Sequence, residues 1–402
     1  MMKQYFDTIV SGIEAKIAAD PMEKTPRKLY ALEISRLGHR LYSGEGVAWC
    51  GIVAPFDLLS AMGVTSCFVE FIGAMLASTG IAGEFLEEAE HIGFTSDICG
   101  YHRSIMGAAN KGAMPEPDCL IATTTPCSGG VAVMENLARH FKKKLFVLNI
   151  PRQMSKSSVA YLAGQIRQMA GFVAAHTGKP LDEERLKEAV IKTNEARAVL
   201  EEVYELASSV PSPVNSRMLA NFGIVITLLL GTDAAVTVTK AFRDDFAQKV
   251  ATKTGGVPNE KTRLLWIQNR IQFKNPLVDM LEKQFGAVVV IDELNSITWD
   301  AIDPDDPYTG MAERAISIPF NGDGSRRIEN LKKLAKKYKV DGAINPCNWG
   351  CRQGSGARGL ISEGLKEIGV PVLNLEVDCV DTRSFSEGQL RTRIEAFVEM
   401  LG

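Results

Sequence analysis

Short apolar runs alternate with helix-patterned segments in two separate stretches of the 402-residue chain. Runs of this kind are 47–53, 64–71, 118–123 and 144–150 in the first stretch, and 263–267, 287–291, 342–345 and 371–376 in the second. A short and nearly continuous apolar run is typical of a strand buried on both faces of a parallel sheet. The pattern therefore predicts an α/β fold with two Rossmann-like or flavodoxin-like parallel-sheet domains joined by a helical segment.

The spacing of the remaining apolar residues sets the predicted domain boundaries. Residues 1–45 have apolar positions three and four apart and predict an N-terminal helical lead-in. We assign residues 46–156 to the first α/β domain, 157–260 to a helical bridge and 261–402 to the second α/β domain. A chain of this length exceeds the size at which one core usually stops growing, which agrees with several domains.

Composition bounds the location and the partners of the chain. The first twenty residues mix acidic with apolar side chains, unlike an export signal. The most apolar stretch, Phe222 to Thr239, contains Asp233 and four threonines, which favours a buried helix over a membrane span. A net charge of -3 provides no basic field for nucleic acid. We therefore expect a cytoplasmic protein with neither a membrane nor a nucleic acid as partner.

The cysteines are the residues that point to chemistry. Eight of them occur, at positions 50, 67, 99, 119, 127, 347, 351 and 379. Cytosolic thiols are kept reduced, so packing, metal binding or catalysis is expected rather than a disulfide framework. Cys50, Cys67, Cys119 and Cys379 fall within predicted strands, at strand ends or just after one, where burial as a small apolar residue is the favoured interpretation.

Three other cysteines are predicted at the edge where open α/β sheets bind ligands, just past strand ends or on the loops beside them. They are Cys99, Cys127 and Cys347. Cys127 also precedes a helix start, where the dipole and free amides favour a thiolate. Thiolates converging from two domains would suit a 4Fe-4S cluster, with one iron left open; buried or incidental cysteines are the alternative. Cys351 would share a helical face with Cys347, as a fourth ligand or as a residue facing the helix core.

Other metal and phosphate sites have less support. The third cysteine of a radical-SAM pattern is replaced by Gly354, and neither a Cys-x2-Cys pair nor a His-Glu-x-x-His motif is present for zinc. The segment 350–359 lacks the P-loop lysine and the Rossmann glycine spacing, so a glycine-permitted turn is favoured over a phosphate cradle. The acidic run 300–306 lacks the calcium-loop spacing and predicts a solvated loop.

Five motifs follow one another from about Val47 to the C-terminus, and a tail at 386–397 follows them. The motifs are 51–63 (GIVAPFDLLSAMG), the Cys-x-Tyr-x-Arg of 99–103, TTTPC at 123–127, the segment 341–351 that ends in NPCNWGC, and GVPVLNLEVD at 369–378. In this order they resemble the 2-hydroxyacyl-CoA dehydratase and benzoyl-CoA reductase family, and the tail resembles the family's C-terminal helix.

The resemblance implies roles for particular residues. It implies that Cys99, Cys127 and Cys347 bind a 4Fe-4S cluster, with Cys351 as an extra thiol that could alter the ligand set. A double-cubane 8Fe-9S cluster is the alternative cofactor, with cysteines such as 50 or 119 as additional ligands. Asp57 stands where the family usually has a glutamate, which makes its carboxylate a candidate for substrate contact or proton transfer.

The resemblance also implies an activity, that of an iron-sulfur subunit of a 2-hydroxyacyl-CoA dehydratase. Such a hydro-lyase removes water from an acyl-CoA substrate after an ATP-dependent iron-sulfur activator protein supplies one electron. The ketyl radical expels the 2-hydroxyl, a β-proton leaves, and the electron is returned. The implied partner is a homologous second subunit in a heterodimer, or a second copy in a homodimer.

Two alternatives remain open from the sequence, together with the acyl group of the substrate. The first is a reductase, either like benzoyl-CoA reductase or with a double-cubane cluster. The second is a non-catalytic subunit that carries a cluster or serves as a scaffold for an active partner.

Overall fold

The computed structural model describes residues 2–44 and 46–402, and this part of the chain contains eight strands and sixteen α-helices. The strands are β1 (Val47–Cys50), β2 (Thr65–Phe68), β3 (Cys119–Thr123), β4 (Leu145–Leu148), β5 (Thr262–Trp266), β6 (Ala287–Asp292), β7 (Gly342–Asn348) and β8 (Val372–Val377). The helices are α1 (Met2–Ala19), α2 (Pro26–Leu41), α3 (Phe56–Ala61), α4 (Glu70–Ser78), α5 (Ala82–His91), α6 (Gly100–Asn110), α7 (Ser128–Phe141), α8 (Lys156–Thr177), α9 (Glu183–Ala207), α10 (Phe222–Val225), α11 (Asp233–Ala251), α12 (Leu277–Met280), α13 (Pro307–Ser317), α14 (Ser325–Lys337), α15 (Arg358–Lys366) and α16 (Glu387–Leu401). Short 3-10 turns occur at Pro21–Glu23, Ile226–Leu229 and Thr382–Ser384, and π turns occur at Leu281–Phe285 and Arg352–Gly356.

The strands form two parallel sheets that wind in the same way. The order is β2-β1-β3-β4 in the first sheet and β6-β5-β7-β8 in the second. In each sheet the chain starts in an inner strand, moves to one edge and then crosses to the other side. A parallel sheet of this winding has a crevice at the carboxyl ends of its strands, where the strand order reverses. The predicted α/β class with two parallel sheets is confirmed.

The inner strands are buried on both faces because helices cover the sheets. Every residue of the inner strands β1, β3, β5 and β7 is buried, and so is every residue of the edge strand β6. Burial on both faces explains why most of these strands read as continuous apolar runs. The long helices α8, α9 and α11 account for most of the segment between the sheets. Helix α9 packs on α11 and α3, and α13, which precedes β7, packs on α8. These contacts hold the two sheets in one body.

The apolar stretch from Phe222 to Thr239 is broken into pieces instead of forming one helix. Helix α10 ends at Val225, a 3-10 turn follows, and α11 begins at Asp233. Gly231 makes the break, since its φ of +81° is a conformation that favours glycine. In the part of the chain that the structure describes, no helix is long and apolar enough to cross a membrane.

The prediction for the third strand of the second sheet was too short. Strand β7 continues beyond Asn345 to Asn348, and its last residues pair with β8 alone, because the pairing with β5 ends at Ile344. Cys347 therefore lies within a strand, opposite Glu376, and not on a loop after it as predicted. The expected helical face shared by Cys347 and Cys351 is also wrong, since Cys351 lies in the turn after β7.

Candidate active site

A cavity of about 1070 Å³ lies where the carboxyl ends of the two sheets face each other. Segments that follow strands of both sheets line it. From the first sheet these are residues 52–56 after β1, Glu70 and Phe71 after β2, and 126–129 after β3; from the second they are 268–270 after β5, 293–294 and 296–299 after β6, and 350–353 after β7. Three thiols are among the lining groups, Cys99, Cys127 and Cys351.

Cys99 immediately precedes α6, so the first amides of that helix face its sulfur. The backbone N–H groups of Tyr101 and His102 lie near Sγ, and Nδ2 of Asn348 is 3.7 Å from it. Burial raises the pKa of the Cys99 thiol well above its usual value, as do the charges of nearby groups, while the two amides act in the opposite direction. The N–H donors are thus arranged for a thiolate whose charge is balanced by a bound group.

The motif that contains Cys99 is held in place by the second half of the molecule, which is the part that contains the second sheet. Arg103 is almost fully buried and its guanidinium lies 3.4 Å from Asp378, 3.2 Å from Asp381 and 2.8 Å from Glu90. Tyr101 accepts a hydrogen bond from Nε2 of Gln272 at 2.8 Å. The Tyr and Arg of the Cys-x-Tyr-x-Arg motif therefore fix the position of Cys99 across the two halves.

Cys127 occupies the equivalent place before α7. The backbone N–H groups of Gly129 and Gly130 lie near its sulfur, at a helix N-terminus where the dipole favours negative charge. Burial, with a contribution from the charge of Glu70, raises the pKa of Cys127 to about 11. The predicted position of this residue at a helix start is confirmed.

The sulfur of Cys351 accepts hydrogen bonds from a side chain as well as from the backbone. Nε2 of Gln268 donates to its sulfur at 3.2 Å, and the amide of Gly354 donates at 3.4 Å. The Cys351 loop also touches Cys99, because a Cβ on Gly350 would overlap the amide nitrogen of Cys99. Cys351 thus shares the N–H environment of Cys99 and Cys127.

Cys347 does not line the cavity. Its thiol donates to the carbonyl oxygen of Asn345 at 3.6 Å and to Oδ1 of Asn374 at 3.5 Å. Burial raises its pKa, although the charge and the side-chain hydrogen bond of Arg358 oppose this effect. The structure therefore brings Cys99 and Cys127 together with Cys351 at the cavity and leaves Cys347 outside it.

The remaining cysteines are buried, in agreement with the prediction of core packing. Cys50, Cys67, Cys119 and Cys379 are inaccessible to solvent, and burial raises the pKa of each thiol.

Asp57, predicted to contact substrate, is buried behind the cavity wall. Both of its oxygens accept hydrogen bonds from Arg314 at 2.8 Å, and Thr193 donates to it at 3.3 Å. Burial alone would raise its pKa, but the charge and hydrogen bonds of Arg314 outweigh burial and hold the pKa below its usual value. Arg314 lines the cavity, whereas Asp57 does not.

Sequence patterns did not single out three other polar side chains of the cavity wall. Glu70 and His102 lie 3.5 Å apart beside Cys127, and Gln268 holds Cys351. A carboxylate directly after an apolar strand was the available signal for Glu70. His102 was visible only as a neighbour of the cysteine motif.

The donor set fits an iron-sulfur cluster. Three thiols reach one cavity, and each has nearby N–H groups of the kind that stabilise sulfur ligands. Each iron of such a cluster takes one outside ligand, so the ligands stand apart from each other. Among residues 2–44 and 46–402, no three His, Cys, Asp or Glu side chains are grouped so that they could hold one metal ion.

Comparison with known proteins covers most of the chain. The family model for the 2-hydroxyglutaryl-CoA dehydratase D-component matches residues 52–401. The lactoyl-CoA dehydratase subunit alpha of Anaerotignum propionicum is 27% identical over 386 residues, covering 89% of this chain and 91% of the relative. The (R)-phenyllactyl-CoA dehydratase alpha subunit of Clostridium sporogenes is 25% identical, covering 89% and 90%. A benzoyl-CoA reductase subunit of Thauera aromatica is 26% identical, covering 80% of each chain. The family match includes all three cavity thiols.

Proposed function

Since the chain belongs to the family of the 2-hydroxyglutaryl-CoA dehydratase D-component, we propose that it is an iron-sulfur subunit of a 2-hydroxyacyl-CoA dehydratase. The family membership confirms the resemblance predicted from the motifs. Two of the relatives are named as dehydratase alpha subunits, which supports the hydro-lyase over the reductase.

The proposal rests on one observation. Three thiols, each with N–H groups near its sulfur, converge on one cavity. Cys99 and Cys127 come from the first half and Cys351 from the second. We propose these three as the cluster ligands, with Cys351 in the place predicted for Cys347. A bound 4Fe-4S cluster would supply one-electron transfer and an open iron as a Lewis acid.

The cavity also offers cations for a phosphate-bearing substrate such as an acyl-CoA. Arg27 and Arg270 line it, and neither guanidinium has an ion-pair or hydrogen-bond partner within the described residues. Burial, together with the neighbouring Arg27, lowers the pKa of Arg270. An anion at this place would relieve the repulsion between the two guanidinium groups.

A partner is part of the proposal because the two dehydratase relatives are named as alpha subunits. We propose a homologous second subunit, or a second copy of this chain, and an ATP-dependent iron-sulfur activator protein as the electron donor.

Anaerobic reconstitution tests the ligand set. We expect about four irons per chain, lost in Cys99→Ala, Cys127→Ala and Cys351→Ala and kept in the matched control Cys347→Ala. About eight irons would favour the double-cubane reductase. Retention of iron in Cys351→Ala with loss in Cys347→Ala would reverse the assignment.

Turnover then separates the activities. The reconstituted chain, with its partner, activator and ATP, is assayed against 2-hydroxyacyl-CoA thioesters and against benzoyl-CoA. Formation of an enoyl-CoA is the expected outcome. Reduction of benzoyl-CoA alone would favour the reductase, and an intact cluster with neither reaction would favour a cluster-carrying or scaffold subunit.

A further inference from the structure

The cavity wall contains one half-buried carboxylate whose role the ligand set does not explain. Glu70 is the first residue of α4, two positions after β2 ends, and its side chain reaches the cavity. Its Oε2 is buried and has no hydrogen-bond partner among the described residues. A buried carboxylate oxygen without a partner is costly to retain, which points to a role in function.

The other acidic residues of the cavity wall have ion-pair or hydrogen-bond partners within the protein. Glu293 is bound by Arg327, and Asp97 accepts a hydrogen bond from the hydroxyl of Thr95. Asp57 lies behind the wall in its ion pair with Arg314. Among the described residues, Glu70 is therefore the cavity-lining carboxylate with a buried oxygen that has no hydrogen-bond partner.

The turn before α7 places Glu70 close to the proposed cluster ligand. A Cβ on Gly130 would lie 3.8 Å from Oε1 of Glu70 and 3.9 Å from Sγ of Cys127. A Cβ on the adjacent Gly129 would lie 3.1 Å from Cε1 of His102 and 3.8 Å from the same sulfur. The two glycines thus leave open the space that Glu70, His102 and Cys127 surround.

His102 is placed to hold the carboxylate. Its Nε2 lies 3.5 Å from Oε1 of Glu70, while Oε2 has no hydrogen-bond partner among the described residues. The backbone N–H of His102 lies near the sulfur of Cys99, so the ring belongs to the segment that positions that thiol.

We propose that Glu70 is the catalytic base that removes the proton from C3 of the 2-hydroxyacyl-CoA, and that His102 is its positioning residue. This inference rests on the proposed function and moves the proton-transfer role from Asp57 to Glu70. The C3–H bond breaks, an O–H bond forms on the Glu70 carboxylate, and the electron pair becomes part of the C2–C3 double bond. The 2-hydroxyl leaves as hydroxide and takes up the proton as water, so the net reaction needs no oxidant or reductant. The activating electron comes from a low-potential one-electron donor and is returned.

The test compares Glu70→Gln with the wild type and with Glu84→Gln, an exposed glutamate on α5. Loss of a general base should lower turnover of Glu70→Gln by about 10²–10⁴-fold. Iron content and the dissociation constant for the 2-hydroxyacyl-CoA should stay within about threefold of the wild-type values. Glu70→Gln removes neither a proposed cluster ligand nor an arginine proposed to bind the substrate. The isotope effect with substrate deuterated at C3 should rise, because C3–H cleavage becomes the slow step. Glu84→Gln should behave as the wild type.

His102→Asn and Asp57→Asn extend the test. We expect His102→Asn to lower turnover less than Glu70→Gln does and to keep substrate binding. Turnover of Glu70→Gln within threefold of the wild type would overturn the role of Glu70, as would a loss of turnover that follows a loss of iron. A raised isotope effect in Asp57→Asn instead of Glu70→Gln would return the role to Asp57. Absence of dehydration by the wild type with every 2-hydroxyacyl-CoA would overturn the proposed function and the base together.

Discussion

Each of the two sheets places a glutamate at the same cavity, but the two carboxylates differ in whether they have a charged partner. Glu70 follows β2 with one buried oxygen that has no partner among the described residues, whereas Glu293 follows β6 and is held by Arg327 at 2.6 and 2.8 Å. Glu293 also accepts the amide of Gln268 at 3.0 Å. Equivalent strands thus place equivalent carboxylates, and the facing side chain decides whether a carboxylate is structural or available to a substrate.

The residues that precede the two glutamates also differ in polarity, and again the second half has the additional polar group. Asp292 precedes Glu293 and is buried with hydrogen bonds from the amides of Asn221 and Leu294. Val69 precedes Glu70. The second half therefore concentrates its buried charge at this position, whereas the first half places a single carboxylate beside an apolar residue.

Removal of the guanidinium in the second half gives the largest expected effect. Arg327→Ala leaves Glu293 buried and without its ionic partner, which should lower the free energy of unfolding by about 3–5 kcal/mol. Urea unfolding measures the change, with the exposed Arg139→Ala as control. The double variant Arg327→Ala with Glu293→Gln should recover part of the loss. A loss below about 1 kcal/mol would remove the claimed difference between the two glutamates.

The pH dependence of stability should also come from the second half. Burial raises the pKa of Asp292 to about 7, although its amide donors oppose the shift. A pKa above the unfolded value of about 3.9 means that the contribution of Asp292 is complete below that pH. It is lost as the pH rises through about 7.

As the pH rises from 5 to 8, the titration of Asp292 should therefore lower the free energy of unfolding by about 2–3 kcal/mol. Urea unfolding over this range should show a flatter profile for Asp292→Asn than for the wild type, and Asp300→Asn should keep the wild-type profile. Equal slopes in all three proteins would contradict the assignment.

The sequence predicted the sheets well because their strands are buried on both faces and read as apolar runs. It misplaced the end of β7, where the polar segment from Asn345 to Asn348 interrupts the run. Pro346 fits a strand there because β7 pairs with β8 alone beyond Ile344, so no ladder on the other side needs its missing N–H. Without that geometry, Cys347 and Cys351 could not be separated.

The state of each carboxylate was also outside the reach of sequence patterns. Asp57 is neutralised by Arg314, which is 257 positions away along the chain, and Glu70 faces His102 only after α4 and α6 pack together. Local spacing places such groups at strand ends, but the pairings depend on tertiary structure.

The contact between the two halves gives a smaller prediction. Gly350, with a φ of +68°, belongs to the Cys351 loop, and a Cβ there would overlap the Cys99 amide. Gly350→Ala should cost about 1–2 kcal/mol for its backbone conformation and should lower iron retention by displacing Cys99. The matched control is Gly356→Ala, where a Cβ would meet nothing within 4 Å. Equal iron in both variants would show that the halves do not depend on this contact.

The smallest expected effect concerns how each half donates to its thiols. Backbone N–H groups lie near the sulfur of Cys127, whereas the sulfur of Cys351 accepts a hydrogen bond from the side chain of Gln268 through Nε2. Oε1 of Gln268 is buried without a partner among the described residues. Gln268→Leu should lower the reduction potential of the reconstituted cluster by an amount on the order of tens of millivolts, because an N–H donor stabilises the more negative reduced state. A redox titration followed by electron paramagnetic resonance measures the shift, with the exposed Gln248→Leu as control. A potential equal to that of the wild type, with iron content intact, would mean that Gln268 only packs against Cys351.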